Sequence, residues 1–248
     1  MRSFAFPSLP VVASLVLACS PDAKRASADS PVATSAPAAA TPTRVASSSG
    51  TLGAASGDSV TDRADRGRIL GDSAAPVWLI MASDFQCPWC KRWHDSTFAP
   101  IVQNYVRSGK VRMAYLNYPL SSHRNAPAAA EAAMCASIQG KFWQMHDALF
   151  ADQDKWSGEA SPTPIFDGMA TRAGVAMPAW RDCMSKHSTL ALISADRDRA
   201  ASAGVKSTPT FFVGQWRLEG AEPYATFRTA IDSALVMARK GPGKSPAP

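Results

Sequence analysis

An α/β fold is predicted by three features of the 248-residue sequence. An apolar run of strand length, Val77 to Met81, leads into a helix-like stretch and then a second strand. That is the strand–helix–strand unit of a parallel sheet. Helical patterning then fills about residues 122–204, and a short hairpin with an amphipathic helix closes the chain. Helices between two strand-bearing halves imply one sheet with a helical insertion.

The elements follow in order. The domain is expected to begin near Asp65. Arg68-Ile69-Leu70 reads as a short edge strand, and Gly71-Asp72-Ser73 as a turn. Val77 to Met81 reads as a buried parallel strand. The helix from Pro88 should kink or break at Pro100, resume to about Arg107, and end at Ser108-Gly109. Val111 to Leu116 alternates like a strand. Ala126 to Ile138 is rich in alanine. Phe142, Met145 or His146, and Leu149 share one helical face, so Phe142, Trp143 and Phe150 read as core. Proline and glycine interrupt the helices near 158–168, and two more are expected over about 165–174 and 178–203. Thr208 to Val213 is a strand, Gly214-Gln215 a two-residue turn with glycine first, and Trp216 to Leu218 the returning strand. Tyr224 to Arg239 is the closing helix. There is no internal repeat.

The ends differ in composition from the middle. Residues 1–18 hold one basic residue and then a short apolar stretch, the pattern of a secretory signal and too short for a transmembrane helix. Val16-Leu17-Ala18-Cys19 resembles a bacterial lipobox, in which the cysteine is lipidated and becomes the mature N-terminus. Val16 and Leu17 depart from the usual residues there, and an ordinary cleaved signal is the alternative. Residues 19–64 are small and polar, with too little apolar surface to offset ordering entropy, and are expected to form a lipid-anchored, disordered linker. About 40 such residues span on the order of 35 Å. The folded domain is assigned to 65–240 and a disordered tail to 241–248.

The net charge of +6 is modest and scattered. No basic stripe interleaves with aromatics, which excludes a nucleic-acid partner; the charge reads as a solvated surface. The five cysteines are Cys19, Cys87, Cys90, Cys135 and Cys183, an odd number. Lipidation of Cys19 would leave four thiols.

The chemistry concentrates in Asp84-Phe85-Gln86-Cys87-Pro88-Trp89-Cys90. Cys87 falls at the first turn of the predicted helix, where unpaired backbone N–H groups and the helix dipole favour a thiolate. Pro88 suits that turn because its missing N–H would have no partner. Cys90 lies one turn further in, close enough to bond Cys87. A zinc half-site is the competing reading of such a pair, but tetrahedral zinc needs four ligands and no second close cysteine or histidine pair is present, so no metal is assigned. Redox exchange between the two thiols requires no small-molecule cofactor.

Three separated segments carry a resemblance. Cys87-Pro88-Trp89-Cys90 after an apolar strand, Gly-Lys-Phe-Trp-Gln-Met-His-Asp-Ala-Leu-Phe at 140–150, and Gly-Val-Lys-Ser-Thr-Pro-Thr-Phe-Phe-Val at 204–213 resemble the DsbA-like branch of the thioredoxin superfamily. The similarity covers about residues 66–237. It implies a thioredoxin fold with an inserted helical domain, about 122–204. It implies a thiol–disulfide oxidoreductase of the cell envelope that forms, reduces or exchanges disulfides in client proteins, served by a membrane redox partner. Cys87 would be the exposed nucleophile and Cys90 the buried partner. Pro88 and Trp89 would support the pair, as would Thr208 with a cis Pro209. Cys135 and Cys183 would form a structural disulfide, the alternative being two buried free thiols.

The departures are specific. Met81 stands where many relatives carry an acid, so the Cys90 proton must use water or another group. Trp89 stands where DsbA has histidine between its cysteines. His94, four residues after Cys90, shares its helix face and reads as a surface or packing residue that could tune the pair. His123 and His146 read as helix-start and packing residues. A tethered metal-binding or chaperone protein on the same scaffold is the alternative function. A dimeric isomerase is a third, but no dimerisation domain precedes the fold.

Overall fold

The computed structural model describes residues 59–240. The expected signal, Cys19, most of the expected linker and the tail 241–248 lie outside them.

The first element begins earlier than the sequence suggested. Helix α1, Val60–Gly67, starts five residues before Asp65. Ser59 caps it: its hydroxyl accepts from the Asp62 N–H, and the Asp62 carboxylate accepts from the Ser59 N–H, a reciprocal capping box. The helix lies on the helical insertion, where Ser137 Oγ donates to the Ala64 carbonyl at 2.6 Å. Gly67 makes this approach possible, since a Cβ there would stand 2.4 Å from Ser137 Oγ.

Five strands form one sheet in the order β1-β3-β2-β4-β5. They are β1 (Ile69–Leu70), β2 (Val77–Ser83), β3 (Val111–Asn117), β4 (Thr210–Val213) and β5 (Trp216–Glu219). Among the described residues only β2 and β3 pair in parallel; the other pairings are antiparallel. β2 is longer than the apolar run and is not buried on both faces throughout. Val77, Leu79 and Met81 are buried, whereas Trp78 and Ile80 on the other face are half-buried. Gly214 takes φ 57° in the β4–β5 turn, a conformation that suits glycine.

The helix after β2 does not break at Pro100. It runs as α2 (Pro88–Trp93), a wide turn (His94–Phe98), α3 (Ala99–Ile101) and a second wide turn (Val102–Val106). Proline lacks an N–H and crowds the carbonyl four residues back; the wider turns on either side absorb both effects.

Six helices are inserted between β3 and β4: α4 (Ala126–Ser137), α5 (Phe142–Ala151), α6 (Gln153–Trp156), α7 (Thr163–Ala173), α8 (Met177–Ser185) and α9 (Leu190–Ser202). The single helix expected over 178–203 is two, parted at His187, which takes φ 51°. A left-handed residue cannot continue a right-handed helix. Cys135 on α4 and Cys183 on α8 are disulfide-bonded, with Cα atoms 5.8 Å apart and a sequence separation of 48. Closing such a loop stabilises by roughly 4 kcal/mol in the chain-entropy account. Helix α10, Tyr224–Lys240, closes the chain.

The insertion is joined to the sheet by a buried ion pair. Asp196 of α9 is fully buried and pairs with Arg68, which is 4% exposed. The same carboxylate accepts from Asn117 N at 3.1 Å and Asn117 Nδ2 at 2.9 Å. Arg68 Nη1 also donates to the Tyr115 carbonyl at 3.1 Å. Burial alone would lower the Arg68 pKa, but the Asp196 and Asp65 carboxylates outweigh it and raise it.

Candidate active site

The loop between β2 and α2 is pinned from several sides. Asp84, 2% exposed, accepts at Oδ1 from Gln86 N at 2.7 Å. Its Oδ2 accepts from Leu120 N at 2.8 Å and lies 2.7 Å from His123 Nδ1. The insertion grips the same loop. Gln153 Nε2 donates to the carbonyls of Phe85, at 2.6 Å, and Cys87, at 3.1 Å. Gln86 Oε1 accepts from Asn125 N at 2.7 Å, and Gln86 Nε2 donates to Ser157 O at 2.9 Å. These polar clamps were not assigned from sequence. Only Asp84, two residues before Gln86, left a local sign, because an aspartate readily accepts from the N–H two residues on. His123, expected to start a helix, instead faces Asp84, and α4 begins at Ala126.

This loop places Cys87 at the N-cap of α2 and Pro88 in its first turn. Both Cys87 and Cys90 are free thiols. Cys90 is 1% exposed. Cys87 was expected to be exposed, yet it is only 3% exposed. It tucks under the Thr208-Pro209 loop, where its Sγ–H donates to the Thr208 carbonyl at 3.4 Å. The Thr208–Pro209 bond is cis. Trp89 is the exposed member of the group, at 55%, with the Arg92 guanidinium 5.5 Å above its ring.

The two thiols are driven apart in acidity. Cys87 is lowered to about 6, foremost by the Cys90 thiol donating to it, against an opposing burial effect. The Thr208 hydroxyl and the backbone N–H groups of Cys90 and Trp89 add to the lowering. Burial pushes Cys90 well up, and its hydrogen bond to Cys87 adds to that. Reactivity therefore concentrates on Cys87.

Two buried hydroxyls, Ser83 Oγ and Tyr115 Oη, stand close enough to act on Cys90, and neither makes a hydrogen bond of ordinary geometry. Sheet register puts Tyr115 opposite Met81 and Ser83 opposite Asn117, on the buried face. The Ser83 hydroxyl and the Asp84 N–H both favour the Cys90 thiolate. Met81 contributes no polar atom.

A second cluster lies behind the pair. His146 of α5 is fully buried among Phe85, Phe98, Phe142, Trp143, Phe150 and Tyr115. Its Nδ1 lies 2.8 Å from Asp147 Oδ1, and its Nε2 has no partner. Burial lowers its pKa to about 4. His94 stacks between Phe98 and Phe150, a packing role, but its Nε2 also meets Asp147 Oδ1 at 3.2 Å. The groove of about 590 Å³ lined by Trp78, Ile80, Leu116, Trp216 and Met237 includes none of the motif residues.

Comparison with known proteins agrees with this geometry. A family model described as thioredoxin matches residues 63–233. The Na(+)/H(+) antiporter NhaA 3 of Salinispora tropica is 33% identical over 185 residues, covering 73% of this chain and 27% of that protein. The chain thus spans about a quarter of the length of the antiporters it matches. The disulfide bond formation protein D of Bacillus subtilis is 22% identical over 169 residues, covering 67% of this chain and 76% of that protein. Among solved structures, oxidised BdbD from Bacillus subtilis matches with a TM-score of 0.63 at 21% identity, over 69% of this chain and 95% of that one. Wolbachia pipientis alpha-DsbA1 matches with a TM-score of 0.63 at 22% identity, over 70% and 92%. The fold shared with both is a thioredoxin sheet with a helical insertion.

Proposed function

We propose a function on one premise: the chain belongs to the thioredoxin family. On that premise it is a thiol–disulfide oxidoreductase acting on client proteins outside the cytoplasm. One observation carries the reading: two free thiols one helical turn apart at the mouth of α2, with Cys87 acidified by Cys90. The names of its Bacillus subtilis relatives support it. The antiporter matches cover too little of those proteins to carry over ion transport, and among the described residues no helix is long and apolar enough to cross a membrane.

In the oxidising direction, a client thiolate attacks Cys87 Sγ of the Cys87–Cys90 disulfide. That bond breaks, Cys90 leaves as a thiolate and takes up a proton, and a client–Cys87 mixed disulfide forms. The client's second thiolate then attacks its own sulfur in that bond and expels Cys87. The client has lost two electrons, and the enzyme holds them as a dithiol. A membrane acceptor would take them to restore the disulfide. The acidity of Cys87 stabilises the reduced enzyme and makes its thiolate a good leaving group, which leans the pair toward oxidation.

Cys90 is buried, so its proton needs a route. Ser83 Oγ and Tyr115 Oη are the unpartnered polar atoms close to it, and they take the part that a carboxylate at Met81 would play. The Thr208-Pro209 loop covers Cys87 and must yield for a client to reach it, with Trp89 as the exposed apolar contact. A signal and lipid anchor on Cys19 would hold the domain in the cell envelope.

The test is trapping and turnover. Cys87→Ser and Cys90→Ala should each abolish oxidation of a reduced, unfolded test protein. Cys90→Ala should accumulate client adducts through Cys87, seen on non-reducing gels. Full oxidase activity of Cys90→Ala without adducts would overturn the assignment. The reduction potential should fall nearer that of a strong oxidant, about −120 mV, than that of a reductant, about −270 mV. Stoichiometric metal on the thiols, lost in Cys87→Ser, would instead favour a metal-binding scaffold.

A further inference from the structure

We infer that His94, His146 and Asp147 form a binding site for a divalent cation of the zinc type, fastening the active-site helix to the helical insertion. The donor set is two imidazoles and one carboxylate, and the three ligand atoms lie within 4.8 Å of one another. Asp147 Oδ1 stands 3.2 Å from His94 Nε2 and 2.8 Å from His146 Nδ1. Tetrahedral zinc with bonds of about 2.0–2.1 Å spaces its ligands about 3.3 Å apart; both separations to Asp147 are near that, and the His94-to-His146 separation, within 4.8 Å, has to match it.

The surroundings match those of a metal ligand. His94 presents its other nitrogen, Nδ1, to Asp95 Oδ1 at 3.0 Å, and Lys91 Nζ holds the other oxygen of that carboxylate at 2.9 Å. A ligating histidine typically donates its second N–H to such a carboxylate, which fixes the ring. A neutral imidazole carries one N–H, yet His94 faces two carboxylates. With one proton toward Asp95, Nε2 can meet the Asp147 oxygen either through a second proton or through a cation held between the two. Coordination by His146 Nδ1 moves its proton to Nε2, which has no hydrogen-bond partner among the surrounding aromatic rings.

Access and placement also fit. The Asp147 side chain is 56% exposed, so an ion can enter from solvent and a water can complete the shell. His94 opens the wide turn His94–Phe98, and such turns recur at functional sites. His94 follows Cys90 by one turn of helix, while His146 and Asp147 come from α5.

The test uses the full, metal-free chain with Cys87 and Cys90 oxidised to their disulfide, so that no thiolate competes. Calorimetric titration with zinc should show one ion per chain. Asp147→Asn and His94→Gln should each weaken it at least about tenfold, and Asp95→Asn about tenfold. The cobalt form should show tetrahedral ligand-field bands without sulfur-to-metal charge transfer. Absence of uptake by the oxidised chain, or uptake unchanged in both Asp147→Asn and His94→Gln, would overturn the site. Asp147 is on the surface, so its variant reports binding without a folding defect.

Discussion

Two buried polar clusters meet at β3, one through Asn117 and the other through Tyr115. In the first, the Asp196 carboxylate receives Arg68 and both N–H groups of Asn117, and Arg68 also reaches the Tyr115 carbonyl. In the second, Cys90, Ser83 and Tyr115 share a pocket in which neither hydroxyl has a hydrogen-bond partner. Burial is equally complete in both; the charges of the first are paired, although Asn117 Oδ1 has no partner, whereas the hydroxyls of the second are not. A compensated buried charge resists change, because disturbing it leaves its partner stranded in a low dielectric. An under-satisfied pocket keeps donors in reserve for a charge that comes and goes, which is what a thiolate does. The first cluster fastens the insertion to the sheet, and on the proposed function the second serves the chemistry of Cys90.

The largest expected effect breaks the first cluster. Asp196→Ala leaves the buried Arg68 guanidinium with only the part-exposed Asp65 and the Tyr115 carbonyl as partners, and should destabilise by about 3 kcal/mol. Denaturant unfolding of the oxidised protein would show it as a lower midpoint with an unchanged slope. The Cys87–Cys90 potential of the remaining folded protein should not move. A loss below about 1 kcal/mol would mean that the ion pair is not what holds the insertion down.

The pH dependence comes next and is read on the two thiols, Cys87 and its neighbour Cys90 in the second cluster. Cys87 has a folded pKa of about 6, below the ordinary thiol value of about 8.5. A lowered pKa contributes stability that is fully present above the unfolded value and is lost as pH falls through the folded one. Between about pH 6 and 8.5 the unfolded chain holds a proton that the reduced fold does not, so reduced-state stability should rise by about 1.4 kcal/mol per pH unit. Cys90 is raised and carries the opposite sign, which enters above about pH 8.5 as the unfolded thiol ionises. The oxidised protein has neither group. The reduced-minus-oxidised stability difference, from parallel denaturant titrations at pH 5, 7 and 8, should therefore climb. A flat difference would mean that Cys87 is not acidified.

The contrast also separates what the sequence reveals from what only folding reveals. β2, β3 and the cysteine pair were legible because apolar runs and local spacing are properties of adjacent residues. Helix α1 was missed because its capping box, Ser59 to Asp62, is embedded in polar, low-complexity sequence. The break at His187 was missed because Lys186-His187-Ser188-Thr189 contains neither glycine nor proline. Cys87 was expected to be exposed, and its burial depends on Thr208, 121 residues away. His94 and Asp147 are 53 positions apart, so nothing local could pair them. Polar clusters assembled from distant elements are settled by packing, and no periodicity announces them.

The finest test removes the reserve of donors without disturbing the fold. Tyr115→Phe and Ser83→Ala each delete a buried hydroxyl that has no hydrogen-bond partner. Deleting such a group leaves nothing newly unsatisfied, so stability should stay within about 1 kcal/mol or rise slightly. That is the opposite of Asp196→Ala, although all three sites are almost fully buried. In the reducing direction, Cys90 must lose its proton before it attacks the Cys87–client bond. Losing the Ser83 donor to its thiolate should raise the pH at which resolution reaches half its maximum, and losing Tyr115, which acts beside it, should do so less. A donor to a charged group contributes about 1.5–3 kcal/mol, so resolution at pH 7 should slow by about tenfold or more. Rapid-quench measurement of mixed-disulfide decay across pH would detect this. A rate lowered equally at every pH would assign Ser83 and Tyr115 to packing, whereas a shifted profile at unchanged stability would assign them to the movement of the Cys90 proton.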